Sequence, residues 1–420
     1  MSVVYKNAAG WLLDELSLIR KWYHHPACCQ HDVCTRQLYN FKEDFFLIFR
    51  PHITNHFSAA THLESCLESN QSKQTTTPER KKRKRSCAFN QGELDAMEYH
   101  KKVTDLILNG AEALVQEGLN RGFLQPFIEI KDNKSKTEPG LATSACQLAE
   151  LCNMAKCIPL ITGAGHKVQF LETEIPLPQG ISIVSQIIEN KSECPSVVDL
   201  LGEKYIIPPK SSFLLSDISC MEPLLQYKTY NIIVIDPPWE NKSVKRSKRY
   251  SSLSPKEIKQ IPLPSLAAQN CLVITWVTNK QKHLRFVKEE LYPHWSVRTL
   301  GEWHWTKITK SGEFVFPLDS LHKKPYEVLV LGRFQNAENS TKSSAKIHLN
   351  PVPEHRLIVS IPCKLHSHKP PLGEVLKEYV EPGVECLELF ARNLQPGWTS
   401  WGNEVLKFQH MDYFTSIEKD

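Results

Sequence analysis

Residues 231–242 read NIIVIDPPWENK, an apolar, β-branched run that ends on an acid, two prolines and a tryptophan. A turn built on Gly or Asn is the simpler way to end such a strand, so Asp236, Pro237, Pro238 and Trp239 form a placed constellation rather than punctuation. The competing reading is a structural turn, with a cis-proline at the strand end and Trp239 in the core.

The chemistry available to this string is specific. Proline fixes φ near about −65° and has no N–H, so the loop offers carbonyl acceptors with few competing donors. A planar exocyclic amino group has two N–H donors. Asp236 can accept one and the Pro237 carbonyl the other, while Trp239 offers an aromatic face worth about 1–3 kcal/mol per base. Electron density placed on that nitrogen makes it a nucleophile toward a methyl sulfonium. In-line positioning is the main contribution required of the protein. No strong base is needed, because the product ammonium gives its proton to solvent.

At 420 residues the chain exceeds a single typical core. From about residue 205 short strands alternate with helical signals, with strands expected at 212–215, 231–235, 271–277, 303–308, 326–331, 356–361 and 385–390. In SPKEIKQI, Ser254, Pro255 and Glu257 form a capping box, and LGEVLKEYVEPG reads as a second helix stopped by Pro382 and Gly383. The alternation predicts an α/β fold with a largely parallel sheet and ligands beyond the carboxyl ends of its strands. Residues 201–415 are therefore expected as the main domain. Residues 1–57 are expected as an N-terminal accessory region, 58–90 as a flexible basic linker, and 91–200 as a partly helical middle domain. Within the last, helices are expected at 91–116 and 142–156.

Further pieces follow in the order TWVTNK, SHKPPLGEVLKEYV, CLELFARN and GWTSWGNE. With Asp236-Pro237-Pro238-Trp239 they resemble the MT-A70 family over residues 212–406, about half the chain. The resemblance implies a Rossmann-like methyltransferase fold of permuted motif order, with S-adenosylmethionine as donor and adenine N6 as acceptor. By the same resemblance Asp217 lies near the donor's adenine or amino-acid end, and Lys369 meets its carboxylate. Arg392 and Asn393, following Phe390, and Asn403 and Glu404 would reach the ribose hydroxyls. LELFARN has no Gly-x-Gly-x-x-Gly, which weakens a dehydrogenase reading, since a pyrophosphate needs that close approach and this donor has none.

After the signature, NKSVKRSKRYSSLS gathers Lys242, Lys245, Arg246, Lys248 and Arg249 beside Tyr250, a pattern suited to phosphates and a stacked base. Expected substrate contacts are Trp239, Lys245, Arg246, Arg249 and Tyr250. Family resemblance favours 2′-O-methyladenosine in a spliceosomal small nuclear RNA, with DNA adenine as the alternative. An inactive RNA-binding scaffold and a protein-glutamine methyltransferase are readings of other classes. The intact acid and basic loop favour an enzyme on nucleic acid.

The six-residue run Arg80, Lys81, Lys82, Arg83, Lys84 and Arg85 in a polar segment is read as a nuclear import signal, with cytosol or mitochondrion as alternative locations. The net charge of +5 does not by itself require nucleic acid. No apolar run approaches the ~20 residues of a membrane span, and the N-terminus lacks a cleavage pattern for secretion. Thirteen irregularly spaced cysteines suit reduced intracellular thiols. The crowded His24, His25, Cys28, Cys29, His31 and Cys34 lack paired metal-ligand spacing, so no metal is expected.

Overall fold

The computed structural model describes residues 2–24, 37–52, 91–126, 168–171, 186–200, 202–218, 220–240, 252–320, 323–335 and 350–418. Its strands are β1 (Val3–Lys6), β2 (Gly10–Leu13), β3 (Gln37–Phe41), β4 (Val168–Phe170) and β5 (Ile187–Asn190). Then come β6 (Ser196–Leu200), β7 (Glu203–Ile207), β8 (Ser211–Leu215), β9 (Tyr230–Ile235), β10 (Ala267–Val277) and β11 (Val297–Lys307). The chain ends with β12 (Tyr326–Phe334), β13 (His355–Ser360), β14 (Cys386–Leu389), β15 (Trp398–Gly402) and β16 (Phe414–Glu418). Two helices matter most here, α1 (Glu15–Tyr23) and α2 (Gln91–Asn120).

Twelve strands form one sheet in the order β1-β2-β13-β11-β12-β10-β9-β14-β15-β8-β5-β4. The run β10-β9-β14-β15-β8 is parallel throughout. β12 is antiparallel to both of its neighbours, β10 and β11. The sequence of β9 explains its central place. Ile233 and Ile235 pack into one core, Ile232 and Val234 into another on the opposite face. A strand apolar on both sides is stable only where both faces are covered.

From β9 the chain proceeds to β10 on one side, and from β14 it proceeds to β15 on the other. β9 and β14 are themselves adjacent, with Ile235 opposite Leu389. That is a topological switch point, and the crevice lies beyond these two carboxyl ends.

All seven expected strands are present, as is the Ser254 capping box. The expected helix at 91–116 continues to Asn120. LGEVLKEYVEPG, in contrast, yields only the helix Gly373–Leu376. Tyr379 packs on Trp303 at 5.6 Å, and its carbonyl accepts from Arg333, so the chain turns before another helical turn forms.

The N-terminal strands join the main sheet, with β2 paired parallel to β13. α2 lies on β1, β2 and β13, burying Val103, Ile107, Ala111 and Leu114. The segments 58–90 and 142–156, and all of the 24–34 cluster except His24, lie outside the described residues. No described helix is long and apolar enough to cross a membrane.

Candidate active site

β9 delivers Asp236 to the crevice, where its backbone N–H donates to the Leu389 carbonyl at 3.2 Å. Arg392 Nη1 donates to Asp236 Oδ2 at 2.9 Å, and Lys369 Nζ lies 3.8 Å from Oδ1. Both cations have second partners. Arg392 Nε donates to Glu404 at 3.1 Å, and Glu404 also accepts from Lys407 at 2.9 Å. Lys369 pairs with Glu327, which accepts from Lys307 at 2.5 Å.

The result is a chain of alternating charge, Lys307-Glu327-Lys369-Asp236-Arg392-Glu404-Lys407, with four cations to three anions. The excess cation favours an anionic ligand group at this edge. Burial opposes the charge on Glu327, but Lys307 and Lys369 outweigh it and hold its carboxyl below the usual range. Burial likewise opposes the charge on Lys369, and Asp236 and Glu327 reverse it, so the ammonium is held more firmly than usual. Glu404 is kept ionised by Lys407 and Arg392 against the same penalty.

The Asp236-Pro237-Pro238-Trp239 turn has no cis peptide bond. The Trp239 N–H donates to the Pro237 carbonyl at 2.8 Å, and the Leu253 N–H donates to the Pro238 carbonyl at 3.1 Å. The Pro237 carbonyl therefore keeps one lone pair for a ligand instead of two. Trp239 is placed differently from a free stacking platform. It is 5% exposed, its indole N–H donates to the Trp276 carbonyl at 2.9 Å, and its ring stacks on His283 at 4.8 Å. The apolar wall formed by Trp239, His283 and Phe286 fixes the turn and leaves little indole surface for a base.

The other residues assigned from sequence sit on the carboxyl edges of adjacent strands. Phe390, Arg392 and Asn393 follow β14, Asn403 and Glu404 follow β15, and Asp217 follows β8. Phe390 has a φ of 60° and packs on Trp401 at 5.1 Å. A left-handed conformation in a bulky residue is uncommon and marks a tightly determined turn at the crevice. Gly402 fits beneath it, since a Cβ there would lie 2.9 Å from the Ala391 carbonyl.

Asp236, Pro237, Pro238, Trp239, Lys369 and Arg392 share one cleft of about 1790 Å³. Asp217, Phe390, Asn393, Asn403 and Glu404 do not line it, although Glu404 reaches it through Arg392. Lys245, Arg246, Arg249 and Tyr250 lie outside the described residues. The opposite wall comes from α2, through Ala96, His100, Thr104 and Leu108 at helical spacing, and from residues 47–52. His100 lies parallel to Tyr326 at 5.9 Å, and burial pushes its pKa down to about 4, so it is neutral at pH 7.

Sequence reasoning missed Lys307 and Glu327. Lys307 closes β11 and Glu327 is the second residue of β12, and the antiparallel pairing of Trp305 with Glu327 brings the two charges together. β11 also carries Arg298, Glu302 and His304, so nothing in the sequence singles Lys307 out.

A mostly parallel α/β sheet in permuted order, with an acid-proline-proline-tryptophan turn at its switch point, fits a Rossmann-like methyltransferase. The family model MT-A70 matches residues 230–404. The chain is 50% identical to "N(6)-adenine-specific methyltransferase METTL4" of Homo sapiens, over 100% of this chain and 99% of that protein. It is 35% identical to "N6-methyladenosine RNA methyltransferase MTA1" of Pyricularia oryzae, over 52% of this chain and 59% of that one. It is 33% identical to "DNA N6-methyl methyltransferase" of Caenorhabditis elegans, over 51% and 56% respectively. The chain belongs to the MT-A70 family of S-adenosylmethionine-dependent adenine N6-methyltransferases.

Proposed function

We propose that this enzyme methylates N6 of 2′-O-methyladenosine in a spliceosomal small nuclear RNA, giving N6,2′-O-dimethyladenosine. The observation that carries the nucleic-acid reading is Asp236, held between two cations at the switch point of a cleft large enough for more than one ligand. Small-molecule pockets commonly occupy about 300–1,000 Å³. The choice of small nuclear RNA rests on the family resemblance.

The residues at this edge fit S-adenosylmethionine. Lys369 suits the donor's carboxylate, and Asp236 suits its positive centres. Asp217, Asn393, Asn403 and Glu404 offer donors and acceptors to its polar ends. When bound, the donor supplies an electrophilic methyl on sulfur. The protein's part is positional: Asp236, braced by Arg392, accepts one amino N–H of adenine, and the remaining lone pair of the Pro237 carbonyl accepts the other. That arrangement aims the nitrogen lone pair along the transfer line. The Trp239 wall excludes water behind the turn, and the proton released after transfer goes to solvent.

DNA adenine is the second reading, favoured by the Caenorhabditis elegans relative, whose identity to this chain is close to that of the RNA-methylating relative. A duplex base must first be flipped out, at a cost of a few kcal/mol, which favours single-stranded or looped targets. Labelled methyl transfer to matched RNA and DNA oligonucleotides, followed by nucleoside analysis, separates the two. Label in N6-methylated 2′-O-methyladenosine is expected; label confined to DNA overturns the RNA assignment, and label confined to protein overturns both.

We further propose a nuclear location, reached through import machinery that reads Arg80 to Arg85. A fluorescent fusion with these six residues changed to alanine is expected to leave the nucleus. Unchanged nuclear retention contradicts the assignment.

A further inference from the structure

Residues 45–52 reach the cleft from the N-terminal part of the chain and are held there by backbone bonds. Lys364 N–H donates to the Phe45 carbonyl at 2.7 Å, Lys310 N–H to that of Ile48 at 2.7 Å, and His52 N–H to that of Val315 at 2.9 Å. This lacing sets the His52 imidazole 5.0 Å from the Phe316 ring, and the Lys323 ammonium lies 5.3 Å from the same ring. His52, Arg50 and Lys323 are exposed, and all three line the cleft that holds Asp236.

Two features give this corner a ligand preference. It pairs aromatic faces with exposed cations, the combination that stacks a base and neutralises its phosphate. It also belongs to a cleft lined by nine lysines and arginines against six acids, so the local field attracts a polyanion. Although His52 is open to solvent, partial desolvation, then Lys323 and Lys307, hold its imidazole below the usual pKa, which favours the uncharged ring at neutral pH. None of these groups is used by the transfer chemistry described above.

We propose that His52, Phe316 and Lys323 form a second nucleotide subsite, where a base flanking the target adenine stacks on the His52–Phe316 pair and its phosphate meets Lys323 and Arg50. The proposal rests on the nucleic-acid reading of the site and adds a footprint to it. Recognition extends beyond one nucleotide, and the N-terminal segment supplies part of the substrate surface.

The test uses the full chain with two acceptors, 2′-O-methyladenosine monophosphate and a single-stranded RNA of roughly 12 nucleotides carrying the same residue. Phe316→Ala and Lys323→Ala are each expected to raise KM for the oligomer by roughly 5- to 50-fold, with kcat within about twofold and the mononucleotide KM unchanged. Phe316→Trp, which keeps an aromatic face, is expected to restore the oligomer KM. An unchanged oligomer KM in both alanine variants overturns the subsite, as does an equal rise for both acceptors. Oligomer binding is followed in parallel by fluorescence anisotropy. If the wild type binds the oligomer without methylating it, and Phe316→Ala weakens that binding, the subsite stands and the methylation reading falls. If the wild type binds no oligomer, both fall.

Discussion

Glu388 lies in β14, 7% exposed, with Gln395 donating to it at 2.9 Å. Burial pushes its pKa up to about 7 and the Asp236 charge adds to the rise, against the Gln395 bond and Arg392. The folded state thus binds this proton more tightly than the unfolded chain does. The associated stability is fully present below about pH 4.5 and is lost as pH rises through about 7, on the order of 3 kcal/mol by pH 8. Glu15, raised to about 8 by burial, acts with the same sign. Glu388→Gln removes one titration. Its melting temperature is expected to exceed that of the wild type at pH 8 and to fall less between pH 5 and 8; an identical slope contradicts this. Lys369 tests the charge chain from the other side. Lys369→Met leaves Glu327 with Lys307 alone, so a loss of about 1.5–3 kcal/mol is expected in denaturant unfolding, together with weakened donor binding in calorimetry. Donor affinity equal to wild type would remove Lys369 from the donor site.

At the scale of elements, Gly10 decides whether the N-terminal strands belong to the sheet. Its neighbour in register is Leu357, and a Cβ on Gly10 would lie 1.9 Å from the Leu357 carbonyl oxygen. Gly10→Ala is expected to cost about 3 kcal/mol and to remove hydrogen-exchange protection from β1 and β2 while β9 and β14 keep theirs. Protection lost evenly across the sheet would contradict the separation. The central strands were legible because a continuous apolar run bounded by turn residues has one stable environment, a sheet covered on both faces. β2 was not, because GWLL is too short to carry a period and its partner β13 lies more than 300 residues away. The helix expected from LGEVLKEYVEPG stops at Leu376 for a related reason: tertiary packing of Tyr379 overrides a local propensity for further turns.

For the whole molecule, the candidate acid Asp236 could be read from the sequence and the cleft around it could not. Asp236 announces itself by ending an apolar strand on a charge followed by two prolines. The opposite wall is assembled from α2 and residues 47–52, which carry no chemical motif and reach the site only through the fold. Trp239 shows the limit within the motif itself: its identity was informative, but burial against His283 was decided by β10 and the helix Gln281–Arg285. The central claim is that the Asp236 carboxylate positions the adenine amine for transfer. Asp236→Asn keeps the side-chain shape and an oxygen acceptor for Arg392 while removing the charge. The decisive measurement is single-turnover methyl transfer by this variant to a single-stranded RNA oligonucleotide, with cooperative thermal unfolding verified on the same sample. A rate reduced by at least about 100-fold, equivalent to about 2.7 kcal/mol in the barrier, is expected. Transfer at the wild-type rate would contradict the claim.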